Sequence, residues 1–273
     1  MLCRLTFQYL NLCTMVRTSE VLGVLRIDYT YPPALGDVAC PETFTYRTVQ
    51  RMVDGLTFTM CQQGGLEGNT RDAFVAAIKW LEDSGVSMII GDCGFMLHYQ
   101  KLASSITNLP VLLSSLLLLP TLLTTSSPTK AIAVFTASYA NFTKPAMKDM
   151  VHRLSGLDQE ESERRIIMVG CEDVPGFEAV ALGNAVDILL VEKGVVRLAR
   201  ETLLQHPNIC AFLFECTELP PFSAAVRRAT RLPVWDAITG ANFIMAGCKS
   251  DGFLHSMERK SERRQRQKSY PGH

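Results

Sequence analysis

Short apolar runs rich in β-branched residues alternate along the chain with stretches of helical length. The runs predict strands at Val21–Ile27, Ser87–Gly91, Ala131–Thr136, Arg165–Val169 and Ile209–Glu215. Over Asn69–Ser84, Ala73, Ala76, Ala77, Trp80 and Leu81 share one helical face, and Gly85 stands where a C-cap belongs. A second helix is predicted over Val195–Leu204, closed by His206-Pro207. Strands alternating with helices predict an α/β fold with mostly parallel sheets and right-handed crossovers.

An internal repeat sharpens that expectation. Cys93, in IIGDCGFMLHYQKLASSITNLPVLLSS, is followed sixteen residues later by Leu109-Pro110-Val111; Cys216, in FLFECTELPPFSAAVRRATRLPVWDAI, is followed sixteen residues later by Leu232-Pro233-Val234. In both copies an apolar strand ends on an acid and then a cysteine (Asp92-Cys93, Glu215-Cys216), a helix follows, and then a Leu-Pro-Val strand. Upstream, GVLRIDY at Gly23–Tyr29 matches AVFTASY at Ala133–Tyr139. Together these predict two Rossmann-like halves about a pseudo-twofold axis, with the active site in the cleft between them. The expected organisation is a variable segment 1–20, a first half of 21–115 joined by 236–256, a second half of 116–235, and a disordered basic tail 257–273. Equivalent strand ends then face one another where α/β folds place ligands, so Cys93 and Cys216 address one small molecule from opposite sides.

A thiol near a helix N-terminus is expected to have a lowered pKa, and its thiolate can act as general base toward a weakly acidic C–H. If that C–H lies α to a carboxylate, the enediolate needs donors around it. Candidates are the main chain at Gly94, where a carboxylate can approach closely, and the hydroxyls of Ser114, Ser115, Thr136, Ser138 and Thr217. The plainer reading of any single cysteine is a small buried hydrophobe. It is kept for Cys171, which also ends a strand but has no partner in the repeat. His98 follows Cys93 by five residues and points away from it on a helix.

Composition removes other classes. The charge balances to zero with 20% charged residues, so nothing recruits nucleic acid or an anionic membrane. Nine cysteines occur without any C-x-x-C, which argues against a disulfide framework and gives a metal site no support. They read as reduced thiols of an intracellular protein, in the cytoplasm or in an organelle such as the plastid. The most apolar run, Leu109–Leu123, is too short for a bilayer and is broken by Pro110 and Pro120. The first 19 residues hold two arginines and no acid, consistent with a targeting segment or a frayed start. Glu258–Lys268 holds six basic residues and two acids and reads as a solvated tail.

The GDCGFM and ECTELPP segments resemble the paired cysteine motifs of the aspartate/glutamate racemase superfamily. GVLRIDYTYPPALGDVACPETF (Gly23–Phe44), GLTFTMCQQG (Gly55–Gly64) and VGCEDVPGFEAV (Val169–Val180) resemble the algal dimethylsulfoniopropionate lyases of the Alma type. The resemblance runs from about Val21 to Gly247. It implies catalytic roles for Cys93 and Cys216, cleavage of dimethylsulfoniopropionate to dimethyl sulfide and acrylate without a cofactor, and a homo-oligomer. A lyase must hold a compact methylated cation, which aromatic faces do well; Tyr29, Tyr31, Phe95, Tyr99 and Trp235 are the candidates. Two other readings stay open: a racemase or isomerase of another small carboxylate, and a non-catalytic paralogue.

Overall fold

Two sheets of four parallel strands carry the fold, each built with the same strand order. The computed structural model describes residues 20–248. The first sheet contains β1 (Val21–Arg26), β2 (Arg47–Met52), β3 (Met88–Gly91) and β4 (Val111–Leu112), in the order β2-β1-β3-β4. The second contains β5 (Ala131–Thr136), β6 (Ile166–Gly170), β7 (Ile209–Phe214) and β8 (Val234–Trp235), in the order β6-β5-β7-β8. All pairings are parallel. The central strands β1 and β5 are apolar along nearly their whole length because helices cover both faces of each sheet.

The five predicted strands are all present, with ends shifted by at most one residue, and each Leu-Pro-Val segment leads into a short strand. Strand β2 was not legible: Arg-Thr-Val-Gln-Arg-Met sits at a sheet edge and is largely exposed, so it carries no apolar run. The predicted helix over 69–84 forms at Gly68–Asp83, and Gly85 takes the left-handed φ of +75°. Its buried stripe is Phe74, Ala77, Ile78 and Leu81, whereas Trp80 is 43% exposed with the Arg51 guanidinium 5.3 Å from its ring centroid. The face chosen from sequence was therefore rotated toward β2. The helix expected at 195–204 begins earlier, at Ile188, because Asp187 accepts from the Leu189 and Leu190 amides, both at 3.1 Å.

Each sheet borrows a helix from beyond the other sheet's last strand. The helix Leu119–Thr125, after β4, packs in the core with Ile132 and Val134 of β5. The helix Ala237–Cys248, after β8, packs against Leu22, Val24, Met88, Ile90 and Leu112 of the first sheet. Segments 1–19 and 249–273, with the expectations attached to them, lie outside the described residues. Among the described residues no helix is long and apolar enough to cross a membrane.

Candidate active site at the paired strand ends

The equivalent strands β3 and β7 end in the same way. The Asp92 amide donates to the Leu25 carbonyl at 3.2 Å, and the Glu215 amide donates to the Phe135 carbonyl at 2.8 Å. The Met96 amide closes a turn onto the Cys93 carbonyl at 2.9 Å; the Leu219 amide does so onto the Cys216 carbonyl at 3.3 Å. Leu25 and Phe135, like Met96 and Leu219, are equivalent positions of the repeat.

These two ends are brought into contact. The Thr217 hydroxyl donates to the Asp92 carbonyl at 2.5 Å, and the Ser115 hydroxyl donates to the Phe214 carbonyl at 2.7 Å. A Cβ at Gly94 would overlap the Glu215 carboxylate and carbonyl oxygen. Cys93 and Cys216 are buried at this junction, 5% and 6% exposed. Little of either side chain is therefore exposed in the cleft expected between the halves. A cavity of about 640 Å³ lies elsewhere, against β6 and lined by residues such as Tyr139, Lys148, His152 and Glu163.

The chain following each cysteine differs from expectation. It is a turn of 3₁₀ helix, at Gly94–Tyr99 and Pro220–Phe222, and the α-helices start only at Gln100 and Ser223. The expected lowering of the thiol pKa values is overturned. Contact with the Cys61 thiol, then burial, then the charges of Glu218 and Glu215 push Cys93 well above the ordinary thiol range. Burial, then the same two carboxylates, push Cys216 up likewise. Both thiols therefore rest protonated. The Cys216 thiol donates to Glu218 Oε2 at 2.7 Å.

Four carboxyl groups gather around the thiols. Burial raises Asp37 to about 6 and Glu215 to about 7. It raises Asp92 to about 7 even though the Ile27 amide and Arg26 stabilise the charged form. Burial and the charge of Asp37 raise Glu218, itself half-buried, to about 8. Asp92 receives the Ile27 amide at 2.9 Å and Arg26 Nε at 3.2 Å. Among the described residues the Glu215 carboxyl receives only the Thr136 hydroxyl, at 2.8 Å on Oε2, and its buried Oε1 has no partner.

The remaining sequence candidates divide. The hydroxyl protons of Ser115, Thr136 and Thr217 are given to protein oxygens, and the Ser114 oxygen caps the following turn by accepting from the Leu116 amide at 3.3 Å. These groups fasten the strand ends together. Ser138 caps the short helix at Tyr139–Phe142. Tyr29 donates to the Val180 carbonyl at 2.5 Å, joining the two halves, and its ring lies 5.8 Å from that of Tyr31. Phe95 and Tyr99 are core residues, and Trp235 packs with the core that contains Leu213. Cys171 is fully buried at the place in its half that Val53 fills in the other, consistent with a core role. Sequence reasoning missed Glu218, Asp37, Arg26 and Cys61. Only Glu218 left a signal, two residues after Cys216; the others reach the site through tertiary folding.

No family model matches the chain. It is 50% identical over 229 residues to dimethylsulfoniopropionate lyase 7 of Emiliania huxleyi (strain CCMP1516), a match covering 82% of this chain and 66% of that protein. It is 44% identical over 227 residues to the dimethylsulfoniopropionate lyase of Durusdinium sp. clade D, covering 83% and 74%. The chain spans 61–66% of the length of Emiliania huxleyi lyases 7, 3 and 6. Among solved structures it resembles arylmalonate decarboxylase, with a TM-score of 0.52, 15% identity and coverage of 85% and 93%. It also resembles glutamate racemase from Francisella tularensis, with a TM-score of 0.50, 13% identity and coverage of 84% and 80%. At such identities these structures speak for the fold alone. The extent and level of the lyase matches go further: this chain, on an aspartate/glutamate racemase fold, belongs to the dimethylsulfoniopropionate lyase family.

Proposed function

We propose that the chain cleaves dimethylsulfoniopropionate to dimethyl sulfide and acrylate by thiol-mediated β-elimination, without metal or organic cofactor. The observation that carries the mechanism is the 2.7 Å bond from the Cys216 thiol to Glu218. A carboxyl raised to about 8 is a stronger base than an ordinary one, so its ionised fraction near neutrality can take the thiol proton, and a sulfonium brought alongside favours both the ionised carboxylate and the thiolate that remains. The thiolate removes the proton α to the substrate carboxylate. That electron pair becomes the Cα–Cβ double bond, the Cβ–S bond breaks, and its pair departs on dimethyl sulfide. One proton is released overall, through Cys216 and Glu218 to solvent.

The asymmetry of the two halves favours elimination over racemisation. A two-base racemase calls for comparable bases on both faces of the α-carbon. The repeat position equivalent to Glu218 is Phe95, and the neighbour of Cys93 is the Cys61 thiol. Among the described residues Cys93 therefore has no carboxylate bonded to it as Cys216 has, and its part is to position the substrate. Assembly as a homo-oligomer belongs to the same reading and is checked by light scattering.

The test is purified protein with dimethylsulfoniopropionate, headspace dimethyl sulfide measured after exhaustive chelation and dialysis, and aspartate racemisation run alongside. Sulfide release that survives chelation supports the reading. Racemisation without sulfide, or activity that returns only with added metal, overturns it.

A further inference from the structure

The repeat sets a tyrosine three residues beyond each central strand, Tyr29 after β1 and Tyr139 after β5. A substrate with a cation at one end and a carboxylate at the other can therefore lie across the pseudo-twofold in two directions. The surroundings of the two tyrosines are not alike.

Around Tyr29 the rings of Tyr31 and Phe58 lie with centroids 5.8 and 6.5 Å away. The Tyr31 hydroxyl contacts both Asp37 carboxylate oxygens, at 2.9 and 2.8 Å. This loop is seated on the Cys216 turn. The Val38 amide donates to the Thr217 carbonyl at 3.5 Å, and Gly36, at φ +103°, leaves only 2.8 Å between a would-be Cβ and the Pro221 Cα. Arg26 holds the Tyr29 carbonyl at 3.4 Å, but its Nε is already bound to Asp92. The cluster thus sets several carboxyl groups against one engaged guanidinium. Tyr139 is 48% exposed, its amide is bound to Glu172 at 3.0 Å, and it has no ring partner among the described residues.

We propose that Tyr29, Tyr31 and Phe58, backed by Asp37 and Glu218, form the subsite for the methylated sulfonium, so that the substrate lies with its cation toward the Tyr29 loop and its carboxylate away from it. Ring faces attract a compact alkylated cation through their quadrupoles, and nearby carboxyl groups, whose ionised form the cation favours, add to that attraction. Tyr29 and Phe58 are half-buried residues and so remain reachable, with the buried Tyr31 beside Tyr29. The ligand class that follows is a small methylated onium bearing a single carboxylate. A second carboxylate placed here, as in aspartate or glutamate, meets like charge in a site with little water to screen it. This inference rests on the lyase reading and adds substrate direction and selectivity to it.

Two non-reacting probes separate charge from shape. Dimethylsulfonioacetate keeps the cation and carboxylate but has no β-carbon to eliminate from; its isostere 3-methylbutanoate keeps the branched end and carboxylate but has no positive charge. By calorimetry the onium should bind at least about tenfold more tightly. In turnover, Tyr29→Leu should raise KM about tenfold with kcat within about threefold, Tyr29→Phe should recover most of that loss, and Tyr139→Leu should leave both constants unchanged. Equal affinity for the two probes overturns the subsite, as does a Tyr139→Leu effect equal to that of Tyr29→Leu. A protein that binds the onium selectively but releases no dimethyl sulfide keeps the subsite and loses the lyase reading.

Discussion

Gly94 lies with its α-carbon against the Glu215 carboxylate, at the point where the ends of β3 and β7 meet. The residue after one cysteine is thus confined by the residue before the other. A side chain there must displace a buried group that Thr136 already holds at 2.8 Å. Gly94→Ala should destabilise the fold by about 1–3 kcal/mol, the usual cost of overpacking a filled site, and should lower turnover by separating the thiols. Urea denaturation and dimethyl sulfide release check the two effects. An alanine variant with wild-type stability would mean that the strand ends are not in contact.

The two thiols should fail unequally. Cys216→Ser removes the group bonded to Glu218, and turnover should fall by about a thousandfold or more, on the scale of losing a general base. Cys93→Ser, lacking any such carboxylate, should retain a measurable fraction. Substrate should protect both from alkylation. If both serine variants release dimethyl sulfide at the wild-type rate, the thiols are not the catalysts.

Glu218→Gln keeps the shape of the carboxyl and removes its ability to take the Cys216 proton. We expect kcat to drop at least about a hundredfold, with the remaining activity rising toward alkaline pH as thiolate forms without help. A glutamine variant with the wild-type rate and pH profile would reduce Glu218 to a hydrogen-bond acceptor of no catalytic consequence.

Stability should decline as the pH rises. Asp37, Asp92, Glu215 and Glu218 all have folded-state pKa values above the ordinary carboxyl range, at about 6, 7, 7 and 8. The folded chain holds these protons where the unfolded chain has released them. The stabilisation is complete below the ordinary carboxyl pKa and is lost progressively above it, until the pH has climbed through about 6 to 8. For Glu215 alone, raised from 4.5 to about 7, it is on the order of 3 kcal/mol. Denaturation midpoints at pH 5 and pH 8 should differ in that direction, and Glu215→Gln should narrow the gap. A midpoint that rises with pH would show that these carboxyls are ionised in the folded protein.

Much of the architecture was legible because it is written locally. The apolar runs that became β1, β5 and β7 announce strands covered on both faces, and the two acid-cysteine ends with their sixteen-residue spacing announce the duplication. Where local pattern was weak, the reading failed. Strand β2 is polar because it is an edge, and Trp80 lies outside the core because Arg51 of that unseen strand covers it.

The sequence by itself determined the doubly repeated α/β plan, the pair Cys93 and Cys216, and their place at equivalent strand ends. The periodicity and spacing that carry these are properties of neighbouring residues. Only the tertiary structure decided how the thiols rest. Their protonation depends on burial and on Cys61, Glu215 and Glu218, which converge from two separate segments. It also decided that, of the hydroxyls considered for holding an anion, Ser115, Thr136 and Thr217 tie strand ends together while Ser114 and Ser138 cap local turns. A hydroxyl's partner is set by distances across the fold, which no spacing along the chain encodes. The repeat likewise left open which of two matching tyrosines stands in an aromatic, acidic setting, until Asp37, Tyr31 and Phe58 gathered around one of them.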